Sequence, residues 1–396
     1  MIEYQYDDSY RKEHPMALPS GVKKYFKTLD YPLIIFAVLC SVFGLIVCSS
    51  ATAYMNTSRY LTTQLVATVI GFVLMIIVSA LDYDQVLRFS KIFYIGMVGL
   101  LVLTLLFGHG DEVGSKSWLA IPGIPFNFQT AEFSKLIFAV TFASHLDSAK
   151  QNINSLKNIV LLLLHMGLIV GLVILQGDLG SALVFLVMFV AMCFYAGLSP
   201  WYFGVALGSA IVASPIIWRF LPEYRRRRIL VGFNPDLDPL DWGYQQIQSR
   251  KAISLGRITG SGYKEGYLTS AGKVPKQETD FAFSVLGEDF GLIGSLIALA
   301  VLALLIFKIL KIARKSHSDA GGYICVGIAS MLIFQVAENI GMCLGMLPVI
   351  GIPLPFFSYG GSSVLSIYIG IGIALAVSAR KNIYFSMHND KFTLRY

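Results

Sequence analysis

Charged side chains are scarce in this sequence: Asp, Glu, Lys and Arg make up 14% of the 396 residues while 55% are hydrophobic. That balance excludes an ordinary water-soluble domain. Cysteine is sparse too. The five, Cys40, Cys48, Cys193, Cys325 and Cys343, all fall in apolar runs without metal-ligand spacing. This excludes a disulfide scaffold or a zinc-type cluster and leaves small buried apolar groups. The two-residue alternation of a membrane β-barrel is missing, as is any internal repeat of roughly 20–50 residues. No small-residue cleavage site follows the first apolar run, which therefore reads as a retained span and not as a removed signal peptide. The formal net charge of +7 is spread over membrane edges, which excludes nucleic acid as a partner and points to anionic membrane lipid.

What is present is a series of apolar runs, each fit to cross a hydrocarbon core of about 30 Å as a helix. They cover 31–53, 63–81, 89–107, 130–145, 158–175, 179–197, 202–221, 283–310, 320–345 and 363–379. About ten spans make an all-α, polytopic membrane protein. One membrane domain, 31–379, lies between an N-terminal tail, 1–30, and a C-terminal tail, 380–396. An even count puts both termini on one side. The short segments there carry Arg11, Lys12, Lys23, Lys24, Lys27, Arg88, Lys91, Lys150, Lys157, Lys311, Arg314, Lys315, Arg380 and Lys381. By the positive-inside rule, that side is the cytoplasm. Outside it lie 54–62, 108–129, 222–282 and 346–362, of which only the strongly basic 222–282 is large.

Ionisable residues in such a chain are candidates for chemistry. Asp280, in "KQETDFAFSV", stands where the eighth span begins, partly desolvated yet reachable from the membrane surface. That position suits a base acting on a lipid-linked substrate, and the competing reading is a helix cap by Thr279 or Asp280. Glu288 is eight residues on, about 12 Å along a helix and too far for the close carboxylate pair of a retaining glycosidase. Its plain reading is a buried partner for a basic side chain. The run "YRRRR" (224–228) is either a solvated cluster or a cradle for phosphate. Glu132 and Lys135 in "FQTAEFSK" share one helix face, as an ion pair would. Asp178 in "LQGDLGSA" is a natural helix N-cap. Glu338 and Asn339 lie inside the ninth span, where a charge demands a partner or a polar cavity. "GIPLPFFSYGGSS" (351–363), with Ser358 and Ser362, reads as a nest of backbone amides for an anion or as a plain turn. His165 reads as a core residue, and the glycines of 256–266 follow no strand, so a nucleotide loop is dismissed.

Five segments in order resemble the SEDS family (shape, elongation, division and sporulation), in its rod-shape-determining branch. They are "GSKSWLAIPGIPFNFQTAEFSK", "QGDLGSA", "NPDLDPLDWGYQQIQSRKAI", "ETDFAFSVLGEDFGLIG" and "ENIGMCLGMLPVIGIPLPFFSYGGSS". The resemblance implies a peptidoglycan glycosyltransferase that joins lipid II units outside the cytoplasmic membrane. It implies work beside a class B penicillin-binding protein and other elongation-machinery proteins. The family's essential aspartate falls on Asp280, its paired basic positions on Arg226 and Arg228, its ion pair on Glu132 and Lys135, and a following acidic residue on Glu288. Asp178, Ser358 and Ser362 join them as substrate-binding positions, with a divalent cation (Mg or Mn) and no organic cofactor.

Glycosyl transfer from a lipid pyrophosphate needs a base for the acceptor hydroxyl and positive charge for the departing group, which one carboxylate and a basic loop can supply. Two rivals stand beside it: a lipid II flippase or other lipid transporter, favoured by the intramembrane Asp178 and Glu338, and a scaffold that only recruits an enzyme. The sequence departs from the family's wording at Gly177, Thr130-Ala131, Val274-Pro275-Lys276 and Glu278. Glu278 adds a second negative charge near Asp280.

Overall fold

The computed structural model describes residue 25 and residues 28–110, 116–119 and 128–393. Nearly all of the expected N-terminal tail, with its basic residues, lies outside the described residues. The helices are α1 (Tyr31–Ala51), α2 (Arg59–Ser79), α3 (Tyr83–Arg88), α4 (Ser90–Phe107), α5 (Thr130–Ala149), α6 (Leu156–Leu175) and α7 (Leu179–Tyr195). They continue as α8 (Pro200–Phe220), α9 (Glu223–Phe233), α10 (Tyr244–Gly256), α11 (Ala282–Arg314), α12 (Asp319–Cys343) and α13 (Gly361–Thr393). Among the described residues, eight of these are long and apolar enough to cross a membrane. The other two expected spans are the 17-residue α7 and the more polar α5. Helix α13 runs past residue 379 to Thr393, over residues expected as a tail.

Lipid replaces water as the solvent, so large apolar side chains cover the outside. Helix α8 contributes no buried residue to its apolar window, whereas 72% of that of α12 and 89% of that of α13 is buried. The centre is thus α12 and α13, wrapped by α2, α5, α7, α1 and α11. Local signals set the helix starts: Asp30, Ser155, Asp178 and Ser318 each accept a backbone N–H of the first turn. Ion pairs tie elements together at one end of the bundle. Lys150 meets Asp319 at 3.0 Å, Lys308 meets Asp30 at 3.0 Å, and Arg380 grips Asp82 and Asp84.

Two features were not legible as patterns. A small antiparallel sheet, β1 (His109–Gly110), β2 (Lys116–Leu119) and β3 (Phe128–Gln129), packs against the start of α5. The second is a break in α11, where Gly291 adopts φ 64° and ψ −163°. A broken helix frees backbone groups that lipid cannot satisfy, and the loop after α10 supplies their partners. Ser261 N–H donates to Glu288 O (2.9 Å) and Gly262 N–H to Asp289 O (3.1 Å), while Leu292 and Ile293 N–H donate to Arg257 and Ile258 O (2.9 and 3.1 Å).

Candidate active site

The return 344–360, between α12 and α13, brings Arg228 and Asp280 together, and it is held by its backbone. Arg228, on α9, donates from Nε and Nη2 to Val349 O (3.1 and 2.9 Å). Asn339 bridges Asp280 O (2.7 Å) and Ile352 O (2.8 Å) with its Nδ2. Between these two anchors, a methyl group placed on Gly351 would stand 3.9 Å from Asp280 Oδ2, which puts the carboxylate against the return. Tyr359 N–H donates to Glu278 O (2.7 Å), so the segment leading to Asp280 runs along the same strip of chain. Burial pulls the Arg228 guanidinium below its ordinary pKa, and the nearby Asp280 charge opposes that pull.

Neither Thr279 nor Asp280 caps α11. The N-cap is Phe281 and no side chain caps the helix. This releases Asp280 from the competing reading. The other arginines take local roles: Arg226 donates from Nε to Leu221 O (2.8 Å) and from Nη2 to Arg219 O (3.2 Å), closing the turn after α8, and Arg227 pairs with Asp238. A guanidinium has five donors. These bonds use two on Arg226 and two on Arg228.

Deeper in the bundle, Lys135 Nζ lies 2.6 Å from Glu132 Oε1, both residues being 1% exposed, and Ser366 donates to Glu132 Oε2 (3.1 Å). Asp178 caps α7 through Ser181 N–H and Oγ, both at 2.8 Å, and lies in electrostatic reach of Lys135 and Glu132. Gly180 on the same turn packs against Ile350 O. Ser358 Oγ accepts from Leu354 N–H (2.8 Å) and shapes the return, while Ser362 Oγ accepts from Gln129 N–H (3.2 Å) and ties β3 to the start of α13. Glu288 stands apart. Its Oε1 and Oε2 accept Leu268 and Thr269 N–H (2.9 and 2.8 Å), backbone amides of the loop between α10 and α11 in place of the basic side chain expected for it. His165 sits beside His145, Nδ1 to Nδ1 3.2 Å, among Phe138 and Phe142.

Three contributors escaped sequence reasoning. Gln64 donates to Ser358 O and accepts from Gly360 N–H at 3.1 Å each. Gln246 spans Gly232, Met342 and Leu347 carbonyls. Ser366 completes the Glu132 site. The available signal was a lone amide or hydroxyl inside or beside an apolar run, which needs a partner when buried.

Residues 31–383 match the family model of the FtsW, RodA and SpoVE cell cycle proteins. The chain belongs to this family, the SEDS proteins. Among its relatives is a probable peptidoglycan glycosyltransferase FtsW of Geobacter sulfurreducens, 33% identical over 367 residues, covering 90% of this chain and 97% of that one. Peptidoglycan glycosyltransferase MrdB of Escherichia coli is 34% identical over 316 residues, covering 79% and 84%. Of solved structures, a chain from work on polymerization and crosslinking by a peptidoglycan synthase complex superimposes with TM-score 0.79 at 29% identity, covering 89% and 98%. The rod shape determining protein RodA of Thermus thermophilus gives 0.67 at 26%, covering 88% and 96%. One departure from the SEDS wording has a geometric reason here. Gly177 stands at φ 84°, a value that proline, locked near −65°, cannot take.

Proposed function

We propose that this SEDS protein is a peptidoglycan glycosyltransferase that polymerises lipid II into glycan strands during cell-wall elongation, with its active site on the extracytoplasmic side. The observation that carries the reading is Asp280, set against the return 344–360 and within reach of the Arg228 cation. Asp280 takes the proton of the GlcNAc 4-hydroxyl of one lipid II. The freed oxygen attacks the anomeric carbon of the MurNAc of the other chain in line, and the linkage inverts from α to β as the bond to pyrophosphate breaks. Arg226 and Arg228 use their remaining donors to meet the charge of the departing undecaprenyl pyrophosphate. A divalent cation, Mg or Mn, would when bound supply further positive charge to the same leaving group. Among the described residues no cluster of three or more His, Cys, Asp or Glu side chains is arranged to hold a metal. The Glu132–Lys135 pair and Asp178 support the floor beneath the return.

A class B penicillin-binding protein is the proposed partner, docked in the membrane alongside other elongation-machinery proteins, and both termini are placed in the cytoplasm. A lipid II flippase or other lipid transporter is the second reading, favoured by the buried polar side chains of α12. The test uses the purified protein with its cognate partner, transpeptidase blocked, supplied with lipid II and divalent salt. Wild type is expected to make strands resolvable on a gel, with loss on chelation and loss in Asp280→Asn while the complex stays intact. Strands from the Asp280→Asn protein would remove Asp280 from the mechanism. Strands from neither protein would favour the transporter.

A further inference from the structure

Two neighbouring carboxyls that this mechanism leaves unused stand just before the break in α11. Glu288 and Asp289 are 0% and 2% exposed, and among the described residues no basic side chain forms an ion pair with either. Donors meet each of them on one side. Glu288 takes the Leu268 and Thr269 amides, and Asp289 Oδ2 accepts from Ser50 Oγ and from Lys264 N–H (3.2 Å). The Lys264 ammonium itself lies over the Tyr263 ring, 5.1 Å from its centroid.

The remaining oxygens converge. Thr269 Oγ1, Glu288 Oε2 and Asp289 Oδ1 are the three atoms nearest to the position that a methyl group on Gly266 would take, and all lie within 2.9 Å of it. Thr269 is 1% exposed, and its Oγ1 and Asp289 Oδ1 are both buried with no hydrogen-bond partner among the described residues. Buried polar atoms of native proteins find a partner in protein, water or an ion with few exceptions. Here an orphan hydroxyl oxygen and an orphan carboxylate oxygen face the same point as a second carboxylate.

An oxygen-only set with two negative charges suits a hard cation, Ca or Mg, and Mg commonly rests on one or two carboxylates with waters completing its shell. Such an ion also removes the repulsion between the two buried charges. We infer that Glu288, Asp289 and Thr269 form a site for a hard divalent cation, which staples the loop after α10 to α11 beside the Gly291 break. The carbonyls of Glu288 and Asp289 already take the Ser261 and Gly262 amides of that loop, so the ion closes the other side of one junction. Its role is structural. It is separate from the cation proposed at the leaving group and does not rest on the function proposed above.

Hydrogen exchange on the full-length protein, stripped with chelator and then given Ca or Mg alone, tests it. The Leu268 and Thr269 amides are expected to exchange more slowly once the ion is added, and the metal that acts at the lower concentration is the one the site prefers. Asp289→Asn is expected to abolish the slowing. Thr269→Val is expected to raise the half-maximal concentration at least about tenfold, the lower end of what outer-shell changes alone do to metal affinity. Asp280→Asn is expected to leave the slowing unchanged, and no lipid II is needed for the readout. Equal exchange of the wild type in chelator and in saturating Ca and Mg would overturn the site without recourse to any variant, leaving the two carboxyls to share a proton. Slowing that survives in Asp289→Asn, or is lost in Asp280→Asn, would overturn it as well, the ion then lying elsewhere.

Discussion

At the scale of single residues, the site is built from charges that are affordable only because something specific meets each of them. The Glu132–Lys135 pair is buried within the bundle, where removing one partner strands the other. Glu132→Gln is expected to destabilise the protein by about 3–5 kcal/mol, read as a drop in the thermal unfolding temperature in detergent. Arg228 meets Val349 O through a two-pronged bond that a lysine cannot form. Arg228→Lys is expected to lower strand synthesis by about a hundredfold with the fold intact, measured as initial rate on lipid II. The first of these contacts was legible in the sequence because its partners are three residues apart on one helix, and the Asp178 cap was legible for the same local reason. The Arg228 contact was not. Its acceptor is a backbone oxygen 121 residues away, and no pattern of side chains announces a carbonyl.

At the scale of elements, all ten expected spans are helices, because hydrophobicity sustained over some 20 residues has no other low-cost backbone state in lipid. What periodicity could not foretell was the interruption of α11. "EDFGLIG" reads as ordinary apolar helix with two glycines, and only the neighbouring loop explains why the ladder opens at the first of them. Gly291→Ala forces a side chain into left-handed backbone, with the new methyl 2.3 Å from Gly260 N. The backbone strain alone is about 1–3 kcal/mol. The expected result is faster hydrogen exchange at the Ser261, Gly262, Leu292 and Ile293 amides, with α1 and α13 unaffected; unchanged exchange at those four would mean that the loop does not depend on the break. Glu288 belongs to the same assembly. Its acidity was visible in the sequence, but its role as acceptor for two loop amides was not.

At the scale of the whole molecule, inside and outside are distinguished by packing and not by polarity, since lipid is as apolar as the core. Phe185 is fully buried and meets Phe138 edge-on at 5.4 Å, whereas Val212 on α8 is 73% exposed. Phe185→Ala is expected to cost about 3–5 kcal/mol, and Val212→Ala no more than about 0.5 kcal/mol, compared by thermal unfolding in one detergent. Equal effects would mean that α8 is packed in the molecule. The return 344–360 carries a different lesson. Arg228, Asn339, Gln246 and Gln64 all hold it by carbonyl oxygens, which every amino acid possesses. The path of the chain is thereby set as grammar while its vocabulary is free to drift: a descendant with other letters at 347, 349 and 352 would inherit the same turn, provided that the four readers of that path kept theirs.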